Sequence, residues 1–83
     1  MYYVYLLRSH VNKPFYVGST GDLRRRYREH NSKQSQSTKA AAPWNLVYYE
    51  AFQSKTLALK RERSLKKYGR GLVELKKRLG YEV

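Results

Sequence analysis

Residues 2–31 read YYVYLLRSHVNKPFYVGSTGDLRRRYREHN, and the fold is decided here. Tyr2 to Arg8 is rich in β-formers and free of Gly and Pro, which predicts a strand. Ser9 to Pro14 is turn-like, punctuated by Asn12 and Pro14. Phe15 to Gly18 is a second short strand, and the brief link between the two favours an antiparallel hairpin. Side-chain alternation puts Tyr3, Tyr5 and Leu7 on one face of the first strand and Tyr16 and Gly18 on one face of the second. Register decides whether those faces coincide. Thr20 or Asp22 can cap a helix running to about Asn31. Its Leu23, Tyr27 and His30 form an inward stripe bordered by Arg26, while Arg24, Arg25 and Arg28 point mostly elsewhere.

From Asn31 to Pro43 the chain is polar and patternless, a long loop that is either functional or mobile. Trp44 to Phe52 is the third strand, with Leu46, Tyr48 and Phe52 alternating against Val47, Tyr49 and Ala51. Ser54 can cap a second helix through about Tyr68, with an Ala58–Leu65–Tyr68 stripe, and Gly69-Arg70-Gly71 breaks it. Leu72, Leu75 and Leu79 then mark a short amphipathic helix. The order ββαβαα predicts a small α+β domain over residues 1–83, a three-stranded antiparallel sheet that needs flanking helices to bury itself.

The chain has 83 residues and no cysteine, so no disulfide staples it and no thiolate binds zinc or attacks a substrate. A domain of this size buries only roughly 60–65% of its unfolded surface, which places the burden of the core on large aromatic side chains. Eighteen basic residues against six acidic ones give a net charge of +12. Such a field concentrates polyanions. No apolar run approaches the ~20 residues that span a bilayer, and the stretch from Met1 to Leu7 lacks the parts of a signal peptide. The expectation is a cytoplasmic protein that meets nucleic acid and no membrane.

The ordered set of Tyr3-Val4-Tyr5, ten intervening residues after Tyr5, Tyr16-Val17-Gly18, the helix DLRRRYREHN and Glu62 within ALKRERSLKKYG resembles the GIY-YIG nuclease superfamily. The likeness is to its short stand-alone bacterial members. Relatives include homing endonucleases, the excision-repair incision subunit and junction nucleases. The resemblance implies hydrolysis of DNA phosphodiesters with one magnesium (or manganese) ion per site, held by Glu62. It further implies Tyr5 or Tyr16 as the group that activates water, Arg26 as the cation on the transition state and His30 as an aid to proton transfer. Gly18 lets the strand approach the site closely. Two departures stand out: the first motif begins with Tyr3 instead of glycine, and Ser19 occupies the place where the repair enzymes carry a lysine.

The physical chemistry of these residues agrees. Hydrolysis adds charge to a phosphate that is already anionic, so fixed cations supply most of the stabilisation. Arg26 offers a planar donor fork suited to phosphate oxygens. A free phenol, with pKa near ~10, is only about 0.3% ionised at pH 7.5, and Arg26, a metal and the positive field would all lower that pKa. Activity is then expected to rise with mild alkalinity. Glu62 has a plainer reading as the partner of a nearby Lys or Arg, and His30 as a helix-end histidine favoured by the helix dipole. Tyr2, Tyr3, Tyr48 and Tyr49 read as core or sheet-surface residues. His10, Glu74 and Glu82 read as exposed, and Glu50 as the partner of a basic neighbour.

Arg24, Arg25, Arg28, Lys39, Lys60, Arg63, Lys66 and Lys67 form basic faces with few acids to balance them, and phosphate contact is their expected role. Four such contacts would lower affinity roughly a hundredfold between 50 and 200 mM salt. Nothing in the sequence signals base-specific readout. Besides a DNA endonuclease, which would be a monomer when free, the sequence admits a nucleic-acid-binding module with little turnover. It also admits a nuclease subunit that relies on a protein partner for targeting.

Overall fold

The computed structural model describes residues 1–11, 14–32, 34–36, 38–67 and 69–81. Asn12, Tyr68 and Glu82, given above a turn, an inward stripe and a solvated surface, lie outside them. Strand β1 (Tyr2–Ser9) is central, flanked by β2 (Phe15–Thr20) and β3 (Trp44–Phe52), both antiparallel to it. Helix α1 (Leu23–Asn31) follows β2, a 3-10 turn at Lys39–Ala41 precedes β3, and α2 (Lys55–Lys67) and α3 (Arg70–Arg78) close the order. The expected α+β architecture is the observed one. No described helix is long and apolar enough to cross a membrane.

The register answers what the sequence left open. Tyr5 lies opposite Gly18 and Leu7 opposite Tyr16, so both tyrosine motifs share a face. The β2 strand runs two residues past Gly18 because Tyr3 pairs with Thr20. On that face Tyr5, Leu7, Ala42 and Trp44 form one buried cluster, sealed by Leu23 and Tyr27 of α1. On the opposite face Val4, Leu6 and Val17 pack against Ala58 and Leu65 of α2 and Leu75 of α3. Each of these aliphatics is almost fully buried, and truncating one such leucine to alanine costs about 2–5 kcal/mol.

The alternation expected for β3 is corrected by a bulge. Leu6 pairs with Tyr48 but Leu7 pairs with Leu46, so Val47 is the extra residue. Leu46 therefore joins the α1-side cluster, while Val47, Tyr48 and Phe52 pack on the other side. Below the bulge, Tyr49 returns to the face of Tyr3 and Tyr5.

Local chemistry sets the helix ends. The Asp22 carboxylate accepts from the Arg25 amide at 3.1 Å and starts α1. At the other end, Asn31 accepts from the Trp44 amide and donates to the Trp44 carbonyl, which also receives the Tyr27 hydroxyl. These three bonds fix α1 to the start of β3. Ser54 accepts from the Leu57 amide at the head of α2. Gly69, at φ 59°, lies in the left-handed region that glycine tolerates and turns the chain into α3.

Candidate active site

Four elements bring the predicted residues to the β2 side of the sheet. β1 supplies Tyr5, β2 supplies Tyr16 and Gly18, α1 supplies Arg26 and His30, and α2 supplies Glu62. The Tyr5 and Tyr16 rings lie 6.4 Å apart, and His30 meets both, at 5.7 and 5.1 Å between centroids. Gly18 forms the floor under the phenols. A Cβ there would run into the Tyr5 hydroxyl, 2.5 Å from its Cζ and 3.1 Å from Tyr16 Cε2. The close approach expected of this glycine is real, and the atoms it admits belong to the two tyrosines.

Tyr5 is buried and its hydroxyl is 2.8 Å from His30 Nε2. His30 Nδ1 is in turn 2.7 Å from the Thr38 hydroxyl, and the Thr38 carbonyl accepts from the Trp44 indole at 2.9 Å. His30 and Thr38 are both fully enclosed. Burial, reinforced by the Arg26 charge, lowers the imidazole pKa to about 4, so His30 is a neutral ring with one donor and one acceptor at neutral pH. A cation favoured by the helix end does not describe it. Burial, with the neighbouring Tyr16, pushes the Tyr5 phenol up to about 12. Arg26 pulls that value down, as the sequence suggested, but desolvation outweighs it.

Arg26 donates to Glu29 Oε1 at 2.9 Å and to the Ser35 hydroxyl at 3.2 Å. Arg25 reaches the other Glu29 oxygen at 3.1 Å, and this pair of guanidinium groups holds the Glu29 carboxyl below its ordinary range. Glu62 is mostly covered, with 19% of its side chain exposed. Its Oε1 accepts from Ser19 at 2.7 Å and its Oε2 from Lys66 Nζ at 2.8 Å. Lys66 also stands 5.5 Å from the Tyr16 ring centroid. An ammonium thus reaches the site from α2, although the position after the second motif carries Ser19.

The fit of a metal rests on this one carboxylate. Among the described residues no cluster of three or more His, Cys, Asp and Glu exists. Glu62 is braced by Ser19, and among the described residues its second oxygen is held only by a half-exposed lysine. This matches a hard cation that keeps most of its water and phosphate ligands and takes one oxygen from the protein.

Of the basic residues, Arg25 lines a cleft with Arg26, and Arg28 continues it with Ser32 and Gln34. Arg63, Lys66 and Lys67 line a second cleft beside Glu62. Arg24 lies on the far side of the α1 start, while Lys39 and Lys60 are exposed and line none of these clefts. Sequence reasoning missed Thr38, Ser35 and the bracing role of Ser19. The first two sit in the patternless loop, where only an excess of hydroxyl residues hinted at them. Lys66 was legible as the i+4 partner of Glu62.

A profile of the GIY-YIG catalytic domain matches residues 1–72. A UPF0213 protein of Haloquadratum walsbyi is 37% identical over 70 residues, which is 83% of this chain and 78% of the relative. A UPF0213 protein of Streptococcus pyogenes serotype M1 is 41% identical over 66 residues, 78% of this chain and 71% of that one. The solution NMR structure of the UPF0213 protein BH0048 from Bacillus halodurans superposes with a TM-score of 0.53 at 33% identity, covering 92% of this chain and 86% of that chain. With the sheet, the paired tyrosine motifs and these matches in agreement, the chain belongs to the GIY-YIG family.

Proposed function

We propose that the protein is a metal-dependent endonuclease that hydrolyses DNA phosphodiester bonds with little sequence specificity. The observation that carries this reading is Glu62. A helix packed on one face of the sheet delivers a mostly covered carboxylate to the β2 edge, beside the phenols and the arginine that belong to the other face. Phosphate affinity alone has no use for a carboxylate there.

A magnesium or manganese ion on Glu62 would neutralise charge on the phosphate and polarise it. The chain's own residues do the rest. Arg26 exchanges Glu29 for a phosphate oxygen and stabilises the charge that develops on it. Tyr16 is the more exposed of the two phenols, and among the described residues its hydroxyl has no hydrogen-bond partner. It orients the attacking water and serves as the base that takes its proton. Tyr5 stays a phenol at neutral pH and, locked to His30, fixes the position of the Tyr16–Gly18 segment. Lys66 leaves Glu62 for the incoming phosphate.

A second reading has an observation of its own. In the free chain both Glu62 oxygens and the Arg26 guanidinium are already engaged. A site so closed on itself suits a nucleic-acid-binding module of weak turnover, or a subunit opened by a protein partner. Cleavage of labelled single-stranded, duplex, nicked and branched DNA, with and without magnesium, separates the readings. The nuclease cuts at least one substrate only with metal, and Tyr16→Phe falls further in kcat than Tyr5→Phe. Binding without cutting on every substrate sinks it.

A further inference from the structure

A further cleft, of about 440 Å³, lies on the β3 side of α1. Its walls are the rings of Tyr3, Tyr27 and Tyr49, the aliphatic Leu23 and Leu46, and Arg24. None of the catalytic candidates lines it. The tyrosines do different things there. Tyr27 is fixed through its hydroxyl to the Trp44 carbonyl. Tyr3 meets Tyr49 edge-to-face, with centroids 6.0 Å apart and planes at 67°. Tyr49 leaves 54% of its surface to solvent, the largest exposure of any described aromatic residue of the sheet.

The bulge in β3 accounts for this exposure. By shifting the pairing at Val47 it returns Tyr49 to the α1 side, where it lines the cleft with Leu23 and Arg24 at the start of the helix. A sheet surface needs no phenol there, and apart from the edge of Tyr3 it is left largely open. Arg24 adds a cation with no ion pair among the described residues. The Asp22 carboxylate already caps the helix end, so the cleft has no free set of backbone amides to hold a phosphate. Its chemistry is that of flat π-faces with a guanidinium at the rim.

The cleft also continues the candidate active site. Gly21 and Asp22 line it, and the same two residues line the cleft of Arg25 and Arg26 on the other side of the α1 start. A strand whose phosphate rests on Arg26 passes over this glycine and reaches the tyrosines next. Aromatic rings beside a basic groove hold unpaired bases by stacking, without regard to their identity.

We propose that the Tyr3–Tyr27–Tyr49 cleft receives an unpaired nucleobase next to the phosphate bound at Arg26, stacked on Tyr49, with Arg24 on its backbone. The proposal rests on the nuclease reading for where the strand lies, and it deepens that reading. The protein would select single-stranded or unstacked DNA, because a base inside a duplex cannot leave its stack without cost.

The test separates base from backbone. Binding of the wild-type chain in a chelator is measured on three labelled probes: an oligothymidine, an abasic oligomer of the same length and charge, and a duplex. Wild-type protein binds the oligothymidine more tightly than the abasic oligomer. Tyr49→Ala weakens oligothymidine binding roughly 5- to 150-fold and barely changes the abasic oligomer, while Tyr49→Phe restores the loss. Arg24→Ala weakens all three alike. Equal wild-type affinity for the two single strands overturns the proposal. So does an equal loss on both from Tyr49→Ala, or no loss on either, which would leave the cleft to a protein partner. If magnesium then brings no cleavage by a chain with base-dependent binding, the nuclease reading falls and the cleft stands. Cleavage by a chain indifferent to bases gives the reverse.

Discussion

Mild acid should destabilise this protein chiefly through one residue. His30 is enclosed and its pKa drops from 6.5 to about 4 on folding. Below pH 6.5 the unfolded chain binds a proton there that the folded chain refuses, so stability rises with pH between about 4 and 6.5 and is lost as the pH falls through that window. At pH 5.0 the two states differ by about 2 kcal/mol relative to pH 7.5, and the full shift is worth about 3 kcal/mol. An 83-residue domain has about 4–12 kcal/mol of stability to lose, and 2 kcal/mol moves its midpoint by roughly 8–16 °C. Glu29 and Glu50 are both held below their ordinary range by arginine partners, so their contributions fall away only at lower pH. Urea unfolding followed by circular dichroism at pH 7.5, 6.0 and 5.0 reads the effect. The wild-type chain should lose about 2 kcal/mol, and His30→Gln should be flat to within about 0.5 kcal/mol. A wild-type chain with no slope, or a His30→Gln chain with the same slope, would refute the assignment of a neutral buried imidazole.

Three further outcomes follow from named contacts. Gly18→Ala drives a Cβ into the Tyr5 phenol and displaces both tyrosines; kcat should fall about a hundredfold or more on a chain whose circular dichroism is little changed. Thr38→Val leaves His30 Nδ1 without its partner and should cost about 1–3 kcal/mol in urea unfolding, lowering kcat at unchanged KM, with Thr38→Ser restoring both. Binding to an oligonucleotide should weaken roughly a hundredfold between 50 and 200 mM salt, and replacing both Arg28 and Arg63, which line the two basic clefts, by alanine should reduce the slope of log K against log salt by about 2.

Much of this was legible because it is local. β1 and α1 announce themselves through side chains that suit one backbone and one period, and Asp22 and Ser54 cap the helices expected of them. The motif residues Tyr5, Tyr16, Gly18, Arg26, His30 and Glu62 were named by the family resemblance, and they converge through a hairpin register and two helix packings that periodicity left open. The bulge at Val47 did not show, since Leu46-Val47-Tyr48 satisfies either alternation and only pairing with β1 decides between them. The loop from residue 34 to 43 was equally opaque. Ser35 and Thr38 meet Arg26 and His30, nine and eight residues back on α1, where the chain folds onto its own helix, and no periodic pattern encodes such contacts. The direction of the Tyr5 shift was missed for a related reason. Charge is countable in a sequence, whereas the desolvation that outweighs it depends on what finally covers the hydroxyl.

The most direct test of the central claim is a single-turnover cleavage measurement with magnesium on the best single-stranded substrate, run beside binding for the wild-type, Glu62→Gln and Arg26→Ala chains. The account predicts that Glu62→Gln binds the substrate as tightly as wild type yet no longer cuts, and that Arg26→Ala loses cutting and part of its binding. Cleavage by Glu62→Gln at the wild-type rate would remove the carboxylate from the chemistry and with it the nuclease site described above.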